Sequence, residues 1–178
     1  VSADGNHVYV GGNDDHALAV FEREAATGQL QFVQTLQDGV GGVDGLYGVQ
    51  DIAISGDGNH VYVVASSDAS IALFSRDHAT GLLSYVNRWS DLQGGGGLLW
   101  GASTVVLSDD GRWVFAQASS DKALTVFQRD AVSGELTFVT NVQRDELNDA
   151  ESLAVSPDGS HVYVTSYYSD SLLVFAWD

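Results

Sequence analysis

The sequence has no cysteine and no methionine, a single proline, and only 7 lysine and arginine residues among 178. Without cysteine there is no disulfide, no cysteine-ligated zinc and no thiol catalysis. That absence leaves the cellular compartment open. Against the 7 basic side chains stand 24 acidic ones, for a formal net charge of −17. Such a balance argues against a nucleic-acid backbone as partner, which needs a basic face, and against adsorption to anionic membranes. No apolar run is long enough to span a bilayer, and no signal or lipidation motif stands between Val1 and Asp178. A targeting segment would have to lie upstream of Val1. Sustained helical spacing of apolar residues is missing too, and glycine is frequent (20 residues), so helices are expected to be nearly absent.

What is present is repetition. Asp4-Gly5-Asn6-His7-Val8-Tyr9-Val10 returns as Asp57-Gly58-Asn59-His60-Val61-Tyr62-Val63, then loosened as Asp110-Gly111-Arg112-Trp113-Val114-Phe115-Ala116, and last as Asp158-Gly159-Ser160-His161-Val162-Tyr163-Val164. Other phrases keep step with it. An apolar run ends in Phe21, Phe74, Phe127 and Phe175. A polar pair follows, Arg23-Glu24, Arg76-Asp77 and Arg129-Asp130, and then a turn at Gly28, Gly81 and Gly134. Each period thus holds four short segments rich in Val, Ile, Leu, Tyr and Phe, bounded by turn residues. Asp-Gly between two such segments is a hairpin signal, because glycine accepts the positive φ of a tight turn.

Four antiparallel strands per period of this length mark a blade of a β-propeller. The fold expected is all-β: one partial propeller domain over 1–178, with blade repeats at approximately 1–50, 51–103, 104–150 and 151–178. We letter the strands of a blade A to D from the axis outward. Strand A is apolar at consecutive positions, as for a strand packed on both faces. The first repeat lacks most of its strand A and the fourth stops after strand C, which leaves two raw sheet edges. With no methionine even at position 1, the chain reads as a piece of a longer one, or as one of two copies that close a ring.

In a propeller the D–A and B–C loops share one face, where ligands usually bind. Each B–C loop here carries an aspartate read as one phase: Asp15, Asp68, Asp121 and Asp170. Turn aspartates of this kind bond their own backbone, or supply oxygen ligands to a hard cation such as Ca²⁺. The D–A loops add Asp38, Asp44, Asp91 and Asp145 as candidate metal ligands, with Glu146 and Asp149 beside them. Tyr47 and Trp100 precede strand A near the presumed channel mouth, where an aromatic ring plugs the channel or stacks on a sugar or a peptide side chain. The Asp-Gly turns lie on the opposite face and read as turn formers; His7, His60 and His161 read as residues flanking strand B. No Gly-x-Ser-x-Gly, His-Glu-x-x-His or phosphate loop is present.

Ser156 to Thr165 (Ser-Pro-Asp-Gly-Ser-His-Val-Tyr-Val-Thr), Ala19 to Arg23, Thr27 to Val33 and Asp38 to Leu46 resemble the lactonase-type, YVTN-like seven-bladed β-propellers of bacteria. The resemblance covers essentially the whole chain. It implies a seven-bladed ring of which this chain supplies about half. Some members hydrolyse sugar lactones, and many are secreted or cell-envelope proteins. The enzymes resemble one another in a Gly-Pro-Arg-His-like segment entering strand A. Here the matching segments, Tyr47 to Asp51, Trp100 to Thr104 and Asn148 to Ser152, contain neither arginine nor histidine. The function expected is therefore a non-catalytic binding or structural module of an extracellular or envelope protein, with cations on its acidic face. Its partners would be the remainder of its own propeller or a second copy, and a protein or carbohydrate ligand. The alternatives are a lactonase-like hydrolase with its catalytic residues in other blades, and a half-ring closed by a second copy.

Overall fold

A computed structural model describes residues 1–91 and 97–177. Among these residues, fourteen strands form four antiparallel sheets, each strand beside its neighbour in sequence. The first sheet is β1 (His7–Gly12), β2 (Ala17–Arg23) and β3 (Leu30–Gln37). The second is β4 (Val49–Ile54), β5 (His60–Ala65), β6 (Ser70–Arg76) and β7 (Leu83–Ser90). The third is β8 (Ala102–Leu107), β9 (Trp113–Ala118), β10 (Ala123–Arg129) and β11 (Leu136–Gln143). The fourth is β12 (Ala150–Val155), β13 (His161–Ser166) and β14 (Ser171–Ala176). A 3₁₀ turn at Asp145–Leu147 is the helical element with defined ends among the described residues, and none of their helices is long and apolar enough to cross a membrane. These sheets are the blades of a partial propeller. Their first strands open one or two residues before the boundaries expected at 51, 104 and 151, each directly after a left-handed turn residue, Gly48, Gly101 or Asp149.

The sequence explains each blade locally. Gly5, Gly58, Gly111 and Gly159 all sit at φ near +70°, the left-handed region a Cβ disfavours. The aspartate before each glycine closes the turn. Asp57 Oδ1 accepts from the Ser55 hydroxyl at 2.5 Å and from the Asn59 N–H at 3.0 Å. At the C–D pairing the register slips by one residue after Val20, Leu73 and Val126. This repeated bulge strengthens the local twist. There Phe21 meets Phe32, Phe74 meets Tyr85 and Phe127 meets Phe138 edge to face, with centroids 5.7–6.2 Å apart.

The core lies between blades. One apolar cluster joins Tyr9, Leu18 and Val20 to Val61, Val63 and Phe74; a second joins Tyr62, Ile71 and Leu73 to Val105, Ala116 and Phe127; a third joins Phe115, Leu124 and Val126 to Leu153, Val162 and Val164. Strands B and C of the inner blades are buried on both faces. The innermost strands β4, β8 and β12 are only half buried, contrary to the expectation from their apolar runs. They line the axis, and one edge of the arc stays open to solvent.

Polar stitches cross each of the first two junctions. The Tyr62 hydroxyl donates to the Gly134 carbonyl at 2.7 Å and accepts from Arg129 Nε at 2.9 Å. One Arg129 Nη reaches Asp57 Oδ2 and His60 Nδ1, both at 2.8 Å, and the other donates to the Gly111 carbonyl at 3.1 Å. One period earlier the same clamp joins Tyr9, Asp4 and His7 to Arg76 and Gly81. A guanidinium only donates, so both imidazoles accept at Nδ1. Burial and the nearby Arg129 charge hold His60 below its ordinary pKa. Burial pushes the Tyr62 hydroxyl up to about 12. Asp57, although partly desolvated, is held well below the usual carboxylate range by Ser55, Arg129 and Asn59. His7 and His60 are thus buried members of an interblade clamp, not merely strand-flanking residues. The histidines do open strand B as expected; the clamp was not foreseen because its partners lie one blade on. His161 remains exposed at the end of the arc.

Candidate functional site: the acidic loop face

The D–A and B–C loops do share one face, because they bond to each other. Asp68 Oδ2 accepts the Tyr47 N–H at 2.9 Å, and Asp121 Oδ2 accepts the Trp100 N–H at 2.8 Å. Asp38 Oδ1 accepts the Leu46 N–H at 2.9 Å, and Asp91 Oδ1 accepts the Leu99 N–H at 2.6 Å. Two aspartates therefore pin each of the two loops that carry Tyr47 and Trp100. These bonds hold Tyr47 and Trp100 in place while leaving their side chains in solvent, at 48% and 66% exposure. Tyr47 packs against the His16 ring at a 4.0 Å centroid distance.

The four B–C aspartates are not all in one phase. His16, Ala69, Lys122 and Asp170 are the residues with φ between 46° and 52° at the end of their loops. Asp15, Asp68 and Asp121 stand one position earlier, where the fourth blade has Ser169. Its hydroxyl takes over the tie to the D–A loop, donating to the Glu146 carbonyl at 3.3 Å. Asp170 is the left-handed turn residue, a conformation aspartate tolerates.

Of the candidate metal ligands, Asp38 and Asp44 come together with Asp68. One oxygen from each lies within 4.8 Å of the others. Asp91 joins the next blade's equivalent, beside Asp121, and Asp145 pairs with Lys122 at 2.8 Å. The set thus divides among three blades. In the Asp38 cluster, burial first and the charges of Asp38 and Asp44 next raise the pKa of Asp68. In its neighbour, burial and the adjacent Asp121 carboxylate push Asp91 up to about 6.

Positive charge also reaches this face. Arg88, from the outer strand β7, lies with Nε 2.9 Å from Asp44 Oδ2 and is largely covered. Lys122 and Arg144 stand in the third blade's loops, tied through the Arg144 N–H and the Lys122 carbonyl at 3.0 Å. The segments entering strand A contain no arginine, so Arg88 escaped notice. Its signal was an isolated cation inside the alternating pattern of an outer strand.

Residues 1–146 match the family model described as lactonase, 7-bladed beta-propeller. Among solved structures, the periplasmic gluconolactonase of Pseudomonas aeruginosa matches at 26% identity and a TM-score of 0.80, over 99% of this chain and 48% of that one. A candidate 6-phosphogluconolactonase of Bacteroides uniformis matches at 16% identity and a TM-score of 0.83, over 99% of this chain and 49% of that one. A protein of Lactobacillus plantarum matches at 20% identity and a TM-score of 0.81, over 100% of this chain and 52% of that one. No curated protein matches. The chain spans about half the length of these solved structures. With its repeated blades, its loop face and a match over 1–146, the chain belongs to the lactonase family of seven-bladed β-propellers.

Proposed function

We propose that the propeller this chain helps to build hydrolyses sugar lactones. The observation that carries the reading is the Asp91–Asp121 pair, whose first member is pushed up to about 6 on the loop face beside the exposed Trp100. A carboxyl group poised there can take a proton from water near neutral pH. Family membership and the likeness to a gluconolactonase support the same substrate class. In the step itself, the water oxygen bonds to the lactone carbonyl carbon while the carboxylate takes its proton. The ring C–O bond then breaks and the ring oxygen is protonated, giving the open hydroxy acid. Trp100 offers an apolar face to the sugar ring. A periplasmic relative makes the cell envelope the compartment we propose, which fractionation of the native host would check. The test of activity is opening of glucono-δ-lactone by the full propeller, above the spontaneous rate. Activity should rise with an apparent pKa near 6 and be lost in Asp91→Asn; no turnover above background would overturn the reading.

A second reading rests on a different observation, the convergence of Asp38, Asp44 and Asp68. Asp38 and Asp68 each commit one oxygen to a backbone N–H, and each keeps another for a hard cation. On this reading the face binds Ca²⁺ and a ligand without chemistry. A rise in Tm with millimolar Ca²⁺, lost in Asp44→Asn, supports it; an unchanged Tm counts against it.

A further inference from the structure

Each of the innermost strands β4, β8 and β12 bulges at its second residue. Val49 pairs with Ala65 and Asp51 with Val64, so Gln50 between them is the extra residue of the ladder. Ser103 is the extra residue between Ala102 and Thr104, and Glu151 between Ala150 and Ser152. A bulge re-aims its side chain, and bulges gather at the rims of barrels and beside functional sites. Here the bulged residue stands three positions after Tyr47, after Trp100 and after Asn148. It therefore lies where the axis opens onto the loop face. Gln50 is exposed although a packed blade stands on either side of it, so its exposure belongs to the axis.

Polar contacts hold these strands side by side. The Ser103 hydroxyl donates to Gln117 Oε1 and stands 3.5 Å from the carbonyl of Ala150, the residue before Glu151. One blade back, Asp51 Oδ2 accepts the Val105 N–H at 3.0 Å. Gln50 Nε2 donates to Ser66 Oγ at 2.9 Å, which fixes the amide and keeps its Oε1 as an acceptor. The wall is thus two neutral hydrogen-bonding groups and one carboxylate. Positive charge is committed elsewhere. Of the 7 basic side chains, Arg23, Arg76 and Arg129 bond turn carbonyls on the far face, and Arg112 pairs with Asp110 there. On the loop face Arg88 pairs with Asp44 and Lys122 with Asp145, and Arg144 lies over the Phe175 ring.

On the lactonase reading of this face, we infer that Gln50, Ser103 and Glu151 determine specificity, selecting a sugar lactone that carries no anionic substituent. The hydroxyls of such a ring exchange hydrogen bonds with the Gln50 amide, the Ser103 hydroxyl and the Glu151 carboxylate. A phosphate ester meets the Glu151 charge instead, and no cation of this wall offsets it. The hydroxy acid formed on ring opening is itself anionic, so the wall that admits the ring repels the product.

The test compares glucono-δ-lactone with its 6-phosphate ester as substrates of the full propeller. The neutral lactone should show the higher kcat/KM. Glu151→Gln should raise the ester-to-neutral ratio of kcat/KM about tenfold, through KM rather than kcat, and Gln50→Lys should raise it as well. Added salt should shrink the discrimination in the unsubstituted protein. Glu24→Gln removes an equal charge from a turn on the far face and should leave the ratio unchanged. Equal turnover of the two lactones, a preference for the ester, or a ratio unmoved by Glu151→Gln overturns this inference and leaves the hydrolase reading standing. No turnover of either lactone overturns both.

Discussion

Trp113 and Trp177 meet edge to face at 5.2 Å, at the place where the two preceding junctions join a histidine to an arginine. Phe115 stands where those junctions have tyrosine, 5.7 Å from the same Trp177 ring. Three residues in two blades have changed together, and the polar clamp has become an aromatic one. Mixing the two chemistries should therefore be costly. Phe115→Tyr places a hydroxyl in a fully buried position without a partner, and should lose about 1–3 kcal/mol in denaturant unfolding. Adding Trp177→Arg should recover part of that loss. If the double variant is simply the sum of the two singles, the three residues are not a unit.

The turn glycines separate conformational strain from clamp contact. Gly28, Gly81 and Gly134 share a φ of 71–76°, so alanine at any of them bears a similar backbone penalty. Only Gly81 and Gly134 have a histidine ring against the position of the missing Cβ. Gly28→Ala should cost about 1 kcal/mol, and Gly81→Ala or Gly134→Ala clearly more. Equal costs at all three, measured by urea unfolding, would mean that the His7 and His60 rings move aside freely.

Asp91 and His60 pull the pH dependence of stability in opposite directions. His60 has a lowered pKa in the folded chain. As pH falls below 6.5, the unfolded chain takes up a proton that the folded one resists, so stability falls. Asp57 is also lowered and adds to this loss at more acidic pH. Asp91 is raised from 3.8 to about 6. Between those values the folded chain keeps a proton that the unfolded one has released, so its contribution to stability falls as pH rises. Asp91→Asn should therefore raise Tm at pH 7, with the gain gone by about pH 4. A gain that persists at pH 4, or a loss at pH 7, contradicts the assignment.

On the loop face, Asp121→Ala removes the acceptor of the Trp100 N–H and Asp68→Ala that of the Tyr47 N–H. Each should cost about 1 kcal/mol and increase hydrogen exchange at Trp100 or Tyr47 alone. Protection unchanged at those amides would show that the loops hold without the aspartates.

Much of this was legible in the sequence because blades are built from local signals. Asp-Gly turns, alternating strands and the shared period place every strand, and they place the acidic loops on one face. The clamp was hidden by its range. Tyr62 and Arg129 belong to neighbouring repeats, and aligning the repeats on one another sets Tyr beside Tyr and Arg beside Arg. The readable signal was the joint change at Trp113, Phe115 and Trp177, visible only when repeats are compared as pairs. The loop face was hidden differently. Spacing could not tell that Asp38, Asp44 and Asp68 meet while Asp91 joins Asp121, nor that Arg88 crosses from an outer strand to Asp44.

The clamp is the central claim, and a double-mutant cycle between Tyr62 and Arg129 tests it most directly. Tyr62→Phe should cost about 1 kcal/mol and Arg129→Met about 3 kcal/mol, because Asp57 loses its partner. If the hydroxyl and the guanidinium act as one unit, the double variant should fall short of their sum by about 1 kcal/mol or more. Additivity within about 0.5 kcal/mol would show that the two residues are neighbours without being a clamp.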